Sequence, residues 1–362
     1  MWPVLLSLAS AASCDAPVEI LLAGDVMAHA SQVRAAAVPG AEGTYDFTDT
    51  FAAIRPWVQA ADLAIVNLET VTAGPSVGYR GFPRFNAPDS LIDAIAAAGF
   101  DVVQTANNHI LDQGVEGQRR TLDRLDAAKL AHAGTHRTQE EAAKGFVLMD
   151  VGGIQVAFLA YTYSTNGFWP ADDEPWRVNW TWRRAPIAQD IARARAAGAE
   201  LVIVGAHTET EYTHRPDAWF VELANHMVAD GADIVMGTHP HVLQPVRRQG
   251  ESLIFYSLGN LVSAQRTPGR DGGVLVTVRV GCDPVRILDH RVLPVWVDAK
   301  AADGSDRYRI LPTPEGKACP TGDPDLSEED CRHMQRFRSH AGTILGADTL
   351  SWERPDAVPP AP

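Results

Sequence analysis

The sequence predicts an α/β fold with many parallel strand pairs. Seven short apolar runs recur along the chain, each bounded by turn residues, and continuous apolar runs of this kind are typical of buried strands. Helical stretches separate several of the runs, and this alternation of strand and helix favours a parallel sheet. The predicted strands are residues 18–24, 62–67, 101–106, 154–162, 200–206, 233–238 and 253–258.

Four helices are predicted between these strands. Three of them stop before Gly99, Gly198 or Gly231, and glycine there ends a helix readily because it adopts the left-handed backbone conformation. The fourth carries its leucines on one face, as a helix packed on a sheet does. Residues 272–297 contain two strand-like runs without a helix between them, which predicts an antiparallel closing region. The predicted helices are residues 88–98, 115–130, 185–197 and 216–230.

Length and composition limit the class of protein. The chain has 362 residues, of which 46% are hydrophobic and 21% are charged, and these fractions exclude a disordered chain, a coiled coil or a collagen. At about 150 residues per domain, this length fits one large domain or two ordinary ones. The 31 basic and 45 acidic residues give a net charge of −14. This balance argues against binding of long nucleic acids through the overall field, but it is compatible with a local cationic pocket or a bound metal.

The first residues, MWPVLLSLASAASC, form a short apolar segment rich in small side chains. The segment has the length of a signal-peptide apolar region, Ala-Ser-Ala fits a cleavage site, and Cys14 ends a loose lipobox. We therefore predict export to the periplasm or cell envelope, with membrane anchoring through Cys14 alone. Because no Lys or Arg precedes the apolar run, the alternative is a frayed N-terminus on a cytoplasmic protein. No run approaches the roughly 20 apolar residues of a transmembrane helix.

These features divide the chain into three parts. Residues 1–16 form a signal or lipoprotein-like segment, residues 17–298 the folded domain, and residues 299–362 an irregular Pro/Gly-rich extension. The extension contains Cys319 and Cys331, at a spacing that a disulfide would bridge in an oxidising compartment. No Cys-x-x-Cys pattern occurs, which argues against zinc or redox chemistry through cysteine.

Polar side chains follow the predicted strands in a regular order. In an open α/β sheet the carboxyl ends of parallel strands converge on one crevice, so these side chains should meet although they are far apart in sequence. Carboxylate and amide oxygens combined with imidazoles suit zinc, manganese or iron better than calcium, which takes oxygen ligands. Each of these residues alone is commonly explained as a turn or core residue. Polar clusters that follow several strands in succession are not explained in that way. The residues are Asp25, Glu69, Asn108, His109, His207, His239 and His241.

The segments around these residues carry a family resemblance. They are GDVM (24–27), VNLET (66–70), ANNHILDQG (106–114), YTYSTNG (161–167), HTETEY (207–212), GADIVMGTHPHVLQP (231–245) and YSLGNLVSAQR (256–266). Together they resemble the calcineurin-like metallophosphoesterases and, more closely, the capsule-synthesis CapA family that is associated with poly-γ-glutamate capsules. The resemblance covers about residues 18–298, and it is specific to the family but not to a substrate.

The resemblance implies a four-layer α/β/β/α sandwich of metallophosphoesterase type, with two mixed sheets packed face to face and helices outside. It implies that His109 protonates the leaving group or stabilises transition-state charge. Asp112, three residues on, either orients the His109 imidazole or caps the helix that follows. The implied metal ligands are Asp25, Glu69, Asn108, His207, His239 and His241.

The chain departs from the resembled pattern at two points. Metallophosphoesterases begin with Asp-x-His, whereas Asp25 is followed here by Val26 and Met27, so one metal position loses a ligand and the centre holds one or two divalent ions (Mn, Zn or Fe). His29 is a weak substitute for the missing histidine. The second departure is Glu209, an acid in HTETEY that would disfavour a highly anionic substrate.

Five further residues are predicted to contact substrate. Arg80 and Arg84 lie in the loop GYRGFPRFNAP and would pair with an anionic substrate, although loop arginines are commonly solvated. Four tryptophans fall within residues 164–184, where they either pack a long loop onto the body or form an aromatic lid or substrate wall. The predicted substrate-binding residues are Asn67, Arg80, Arg84, Glu211 and Asn260, of which Asn260 is alternatively a turn residue.

Two functions from different classes follow. The first is an exported metal-dependent hydrolase of phosphoesterase type that acts in capsule or cell-envelope polymer metabolism, on an anionic polymer or phosphoester and with the capsule-synthesis machinery as a partner. The bond would be a phosphoester or an amide. The second is a non-catalytic envelope protein that binds metal or polymer and assists capsule assembly or export. A nuclease or cyclic-nucleotide phosphodiesterase is a weaker third hypothesis.

Overall fold

Two mixed β-sheets lie face to face at the centre of the structure, a computed structural model that describes residues 16–313 and 326–350. In the first sheet the strand order is β14-β13-β12-β1-β2-β3-β4, with β11 also paired to β1. Its strands are β1 Val18–Val26, β2 Leu63–Leu68, β3 Val102–Gln104, β4 Ala131–Ala133, β11 Asn260–Val262, β12 Gly272–Cys282, β13 Val285–Lys300 and β14 Asp306–Pro312.

In the second sheet the order is β5-β6-β7-β8-β10-β9. Its strands are β5 Val147–Val151, β6 Ile154–Thr162, β7 Leu201–His207, β8 Ile234–Thr238, β9 Val246–Gln249 and β10 Ser252–Phe255. Both sheets have a parallel centre, formed by β1 to β4 in one and by β6, β7, β8 and β10 in the other, with antiparallel strands at the edges. The parallel centres are buried on both faces, which is why their sequences are continuous apolar runs.

Helices cover the outer face of each sheet, except the last helix, Glu328–Leu345, which packs against the core between the sheets. They are α1 Ala30–Ala35, α2 Thr48–Ala52, α3 Arg55–Ala60, α4 Ser90–Ala98, α5 Gly114–Ala127, α6 Gln139–Lys144, α7 Arg184–Ala196, α8 Ala218–Ala229 and α9 Glu328–Leu345. Side chains alternate between the layers, because successive strand residues point to opposite faces. Ile20 and Leu22 pack between the sheets, whereas Leu21 and Ala23 pack with the helical side chains.

The predicted α/β class with two mixed sheets and helices is confirmed. Each of the seven predicted strands and four predicted helices corresponds to an observed element, with small displacements at the ends, and residues 272–297 form the antiparallel pair β12 and β13. The apolar pattern did not reveal the short elements α1, α2, α3, α6, β4, β5, β9 and β11, since a few residues carry too little periodicity.

The segment beyond residue 298 differs from its prediction as an irregular extension. It contains the end of β13, the strand β14 and the 18-residue helix α9. Ser327 and Asp330 form a capping box at the start of α9. Met334, Phe337 and Ala341 bury one helical stripe in the core between the sheets. The Pro/Gly-rich composition of the segment hid this periodic stripe.

The cysteines and the termini bear on the export prediction. Cys282, at the end of β12, and Cys331, in α9, are both disulfide-bonded. Cys319, the predicted partner of Cys331, and Cys14 with the rest of residues 1–15 lie outside the described residues, so the predicted Cys319–Cys331 pair and the signal segment stay predictions. Among the described helices, none has the length and apolarity that a membrane span requires.

Candidate metal centre

The first sheet contributes oxygen-bearing side chains to a buried cluster. Asp25 lies near the end of β1, Glu69 directly follows β2, and Asn108 lies in the turn after β3. Their exposed fractions are 0%, 0% and 2%. Asn67 donates a hydrogen bond from Nδ2 to Asp25 Oδ1 at 2.7 Å. The parallel pairing of β1 with β2 and of β2 with β3 therefore brings three of the predicted ligands to one edge of the sheet.

The second sheet contributes imidazoles. His207 ends β7, and His239 and His241 lie in the turn after β8. His239 and His241 have φ values of 99° and 57°, in the left-handed region that residues with a side chain rarely adopt. In an extended strand, residues two positions apart point to the same face. His239 and His241 lie in a turn instead, and their left-handed backbone conformations direct both imidazoles at the cluster.

The two sides meet around Glu69. His207 Nε2 and His241 Nε2 each lie 3.6 Å from Glu69 Oε1, and His241 Nδ1 lies 3.3 Å from Asp25 Oδ2. Asn108 Oδ1 is 2.9 Å from His207 Nε2. Among the described residues, three groups of donor atoms lie within 4.8 Å of one another, and Glu69 belongs to two of them. These two are Glu69 with His207 and His239, and Asp25 with Glu69 and His241, so Glu69 is placed as a ligand shared by two metal positions would be. The third is Glu211 with His239 and His241.

The electrostatics of the cluster fit a divalent cation. Both carboxylate oxygens of Glu69, and Nδ1 of His239, are buried without a hydrogen-bond partner, an arrangement that is costly unless another group satisfies them. Burial raises the pKa of Glu69 well above its usual value, and the nearby charge of Asp25 raises it further. Burial lowers the pKa of His207 and His239 well below the usual value. The lowered pKa values keep the imidazoles in the neutral form that a metal requires. Burial disfavours the carboxylate form of Glu69, which a bound cation would stabilise.

Asn67 and Asn260 hold cluster side chains in place. Asn260 Oδ1 lies 3.0 Å from His241 Nδ1, while its Nδ2 donates to Arg270 O at 2.8 Å. Asn67 Nδ2 contacts Asp25 and lies 3.2 Å from His207 Nδ1. Both residues were predicted to bind substrate, but their polar atoms are used within the protein, so their contacts are those of residues that orient ligands.

His109 and Asp112 form a pair beside the cluster. His109 Nδ1 is 2.7 Å from Asp112 Oδ2, and this carboxylate oxygen also accepts a hydrogen bond from Phe85 N at 2.7 Å. The Phe85 ring packs edge-on against His109 with 4.6 Å between ring centroids. The N-cap of α5 is Gln113. Of the two predicted roles of Asp112, orientation of the imidazole is the one that these contacts support.

The two predicted arginines point elsewhere. Arg84 donates from Nε and Nη2 to the backbone oxygen of Asp112 at 2.8 and 2.6 Å, and its guanidinium lies 4.7 Å from the centre of the Phe168 ring. Arg80 is exposed and bonds the turn oxygens of Val77 and Gly78. Arg84 thus supports the His109–Asp112 pair through the backbone, and the guanidinium of Arg80 is taken up by its own loop.

His29 and Glu209 both make hydrogen bonds within the protein. His29 Nδ1 is engaged by Gln32 Oε1 at 3.1 Å and by Ala264 N at 3.3 Å, so this nitrogen does not replace the missing ligand. Glu209 accepts hydrogen bonds from Asp217 N and from Gln244 Nε2, and burial raises its pKa to about 7. Its carboxylate therefore braces the loop, and its expected effect on an anionic substrate stays a prediction.

The structure adds residues that the sequence did not single out. Asn166 Nδ2 lies 3.4 Å from His109 Nδ1, and Asn166 Oδ1 accepts from Asn108 at 3.5 Å. Tyr163 packs against His239 at 4.9 Å between ring centroids. Both belong to the segment YTYSTNG, which sequence analysis noted only as part of the resemblance. That segment runs into the tryptophan-rich loop, where Trp180 is buried while Trp169 and Trp182 are 61% and 60% exposed.

Fold and site together define an α/β protein with a buried cluster suited to divalent metal. The chain belongs to the family described as bacterial capsule synthesis protein PGA_cap, whose profile matches residues 19–265. This confirms the family predicted from the motifs.

Relatives agree with this assignment. The chain is 30% identical over 276 residues to the capsule biosynthesis protein CapA of Bacillus anthracis, covering 72% of this chain and 66% of that protein. It is 27% identical over 300 residues to the PGA biosynthesis protein CapA of Bacillus subtilis, covering 76% and 73%. Among solved structures, it resembles a candidate 5′-nucleotidase from Staphylococcus aureus, at 13% identity and a TM-score of 0.50, over 89% of this chain and 58% of that chain. That likeness concerns the fold alone.

Proposed function

We propose that this protein is an exported, metal-dependent hydrolase with a phosphoesterase-type site that acts in capsule or cell-envelope polymer metabolism. The observation that carries the proposal is the pair of donor groups that share Glu69, set beside the His109–Asp112 pair. A buried cluster with unsatisfied carboxylate and imidazole atoms is expensive to keep for structure alone.

The predicted ligands would hold one or two divalent ions. Glu69, Asn108, His207 and His239 would serve one position, and Asp25, Glu69 and His241 the other. When bound, such ions polarise a phosphoryl or carbonyl oxygen and lower the pKa of water, so that hydrolysis proceeds near neutral pH. Mn, Zn and Fe all suit this mixture of nitrogen and oxygen donors.

His109 would act on the leaving group. Asp112 holds His109 Nδ1 at 2.7 Å, and the edge-on contact with Phe85 fixes the plane of the ring. The other ring nitrogen, Nε2, is then the one that donates a proton to the departing oxygen. A positioned general acid of this type contributes about 10²–10⁴-fold to the rate.

The substrate is proposed to be an anionic polymer or a phosphoester. The loop of residues 164–184 offers a wall for it, since Asn166 contacts His109 while Trp169 and Trp182 expose their rings. An amide is the alternative bond, because polyglutamate chemistry would require it. The net charge of −14 argues against long nucleic acids as substrates.

Export to the cell envelope, with capsule-synthesis machinery as a partner, completes the proposal. The disulfide bonds of Cys282 and Cys331 support it, because disulfides persist in oxidising compartments. The names of the two relatives, capsule biosynthesis protein and PGA biosynthesis protein, support a role in capsule formation.

Metal content and hydrolysis measured together test this function. Protein loaded with Mn, Zn or Fe is assayed with p-nitrophenyl phosphate, bis-p-nitrophenyl phosphate and γ-glutamyl peptides, and bound metal is counted by elemental mass spectrometry. Metal-dependent turnover of any of these substrates, lost in Asp25→Ala and His239→Ala, is the expected result. Bound metal without turnover of any substrate would contradict the hydrolase.

The second candidate is a non-catalytic capsule assembly or export protein. It is favoured by one feature, the group of Asp25, Glu69 and His241, which offers only three donors within 4.8 Å among the described residues. This candidate predicts metal or polymer binding that survives in His109→Asn together with an absence of turnover in the unaltered protein.

A further inference from the structure

A third carboxylate approaches the cluster from the solvent. A side-chain oxygen of Glu211 and ring nitrogens of His239 and His241 lie within 4.8 Å of one another. Glu211 is exposed, whereas His239 and His241 are 1% and 2% exposed. The carboxylate therefore stands at the open side of a cluster whose other members are buried.

The two donor groups that share Glu69 differ in their number of donors. The group of Glu69, His207 and His239 gains a fourth donor from Asn108, whose Oδ1 lies 2.9 Å from His207 Nε2. The group that contains Asp25 has three donors, and Met27, two residues along from Asp25, is a buried thioether rather than an imidazole or carboxylate. Structural zinc sites have four protein ligands and catalytic zinc sites have three with a fourth position open, so this second position has room for one more donor.

The loop that carries Glu211 is built under strain. Glu209 and Tyr212 have φ values of 101° and 67°, and left-handed conformations of residues with side chains are costly and persist only when the surroundings enforce them. Such outliers cluster at functional sites, and these two flank Glu211 on both sides.

Several contacts hold the strained loop against the histidine turn. Tyr212 N donates to Pro240 O at 2.8 Å, between His239 and His241. The guanidinium carbon of Arg270 lies 3.4 Å from the centre of the Tyr212 ring. The Glu209 carboxylate accepts from Asp217 N at 2.9 Å and from Gln244. These contacts hold the loop against the turn that presents the two imidazoles, so the backbone at Glu211 is held beside them.

We infer that Glu211 is a metal ligand that completes the position formed by Asp25, Glu69 and His241 from the solvent side. The inference deepens the proposed function, since it requires that the cluster bind divalent metal, but it does not require that the bound metal be catalytic. It assigns Glu211, which sequence analysis assigned to substrate, to the centre itself. Because Glu211 is exposed, its replacement leaves the packed core intact.

Metal titration of the full-length protein tests the inference. Metal-free protein is titrated with Co²⁺, with affinity and stoichiometry from calorimetry and ligand geometry from the visible absorption of the bound ion. In Glu211→Gln we expect one class of site to weaken tenfold or more, with altered absorption bands, while the thermal stability of the metal-free protein is unchanged. Glu211→His, which restores a donor atom, should recover part of the affinity.

Two variants serve as controls. Glu222→Gln removes an exposed carboxylate from α8, outside the cluster, and should titrate like the unaltered protein. Asp25→Asn removes a buried donor of the position that Glu211 is inferred to complete, to which Glu211 is linked through the shared His241, and should weaken the same class of site as Glu211→Gln does. The double variant should lose little beyond the larger of the two single losses, since both remove donors from one position.

Different outcomes separate this inference from the proposed function. If the unaltered protein and Glu211→Gln bind Co²⁺ with equal affinity, stoichiometry and spectrum, Glu211 is not a ligand and the inference fails alone. A changed KM with unchanged metal binding would likewise overturn it and make Glu211 a substrate contact. If the unaltered protein binds no metal, the inference and the proposed function fail together.

Discussion

The two sheets contribute chemically opposite halves of one cluster. The first sheet supplies Asp25, Glu69 and Asn108, and the second supplies His207, His239 and His241. Burial acts on both halves but in opposite directions, because it disfavours whichever form is charged. It raises the pKa of Glu69 and lowers the pKa of His207 and His239. Each half is therefore costly by itself, and a divalent cation between them would satisfy both.

The halves also differ in backbone. Asp25 lies within β1 beside a shift in register and Glu69 directly follows β2, whereas His239 and His241 occupy left-handed positions in a turn. The oxygen side is thus prepared by sheet register, and the nitrogen side depends on a strained turn held by neighbouring loops. The centre therefore belongs to the interface between the sheets and to neither sheet alone.

The largest expected effect comes from breaking either half. Glu69→Gln removes the carboxylate shared by both donor groups, and His239→Asn removes an imidazole with an unsatisfied Nδ1. We expect each variant to bind metal at least about 100-fold more weakly, beyond the 10–100-fold typical of residues that only support a ligand, and to hydrolyse at background rate. Elemental mass spectrometry and the assays above measure both quantities.

His226→Asn is the matched control, because His226 lies on α8 away from the cluster. It should retain full metal content and turnover. Equal metal content in Glu69→Gln and the unaltered protein would refute the shared role of Glu69, and the picture of two complementary halves would have to be abandoned.

The next effect separates the cluster from the His109–Asp112 pair. His109→Asn should reduce kcat by about 10²–10⁴-fold, because it removes the general acid, while metal content stays at its original value. Asp112→Asn should reduce kcat less and alter its pH profile, since the imidazole remains but loses the carboxylate that orients it at 2.7 Å. Loss of metal in His109→Asn would show that this residue is a ligand after all.

A smaller effect concerns His136, a buried histidine outside the cluster, whose protonation lowers the stability of the folded protein. Burial lowers the pKa of His136 from 6.5 to about 4, despite its contact with Asn179, while Glu141 and His132 nearby oppose each other. Between these values the unfolded chain binds more protons than the folded chain, so stability falls as pH falls from 6.5 to 4. At pH 5 the loss attributable to His136 is about 2 kcal/mol.

Thermal unfolding from pH 7.5 to pH 4.5 measures this loss. The decline should be shallower in His136→Gln, and added metal should not abolish the difference between the two proteins, because His136 is not in the cluster. Parallel curves for His136→Gln and the unaltered protein would contradict the prediction.

The smallest effect concerns the exposed tryptophans. Trp169→Ala should change the free energy of unfolding by less than about 0.5 kcal/mol, as is usual for exposed positions. If residues 164–184 form a substrate wall, the same variant should raise KM for a polymeric substrate and leave that for p-nitrophenyl phosphate unchanged. Trp219→Ala, exposed on α8, is the matched control. Equal KM values for the polymer in Trp169→Ala and Trp219→Ala would contradict the prediction that residues 164–184 form a substrate wall.

Much of this protein could be predicted from the order of its residues. The apolar runs located the central strands, and the polar residue that follows each run named the members of the cluster, because parallel strands end at one edge. The pair His109–Asp112 could also be predicted, since Asp112 lies three positions after His109 in one turn. These features are local, and local sequence reports them.

Only the tertiary structure decided the rest. Arg80 and Arg84 looked alike in one loop, yet Arg84 supports Asp112 through its backbone oxygen and Arg80 bonds its own turn. Glu209 and Glu211 looked alike in one motif, yet one braces the loop and the other faces the histidines. The helix α9 closes the core beyond a Pro/Gly-rich segment. Each outcome depends on contacts between residues distant in sequence, and periodicity, which measures burial along one element, carries no information about the partner across the interface.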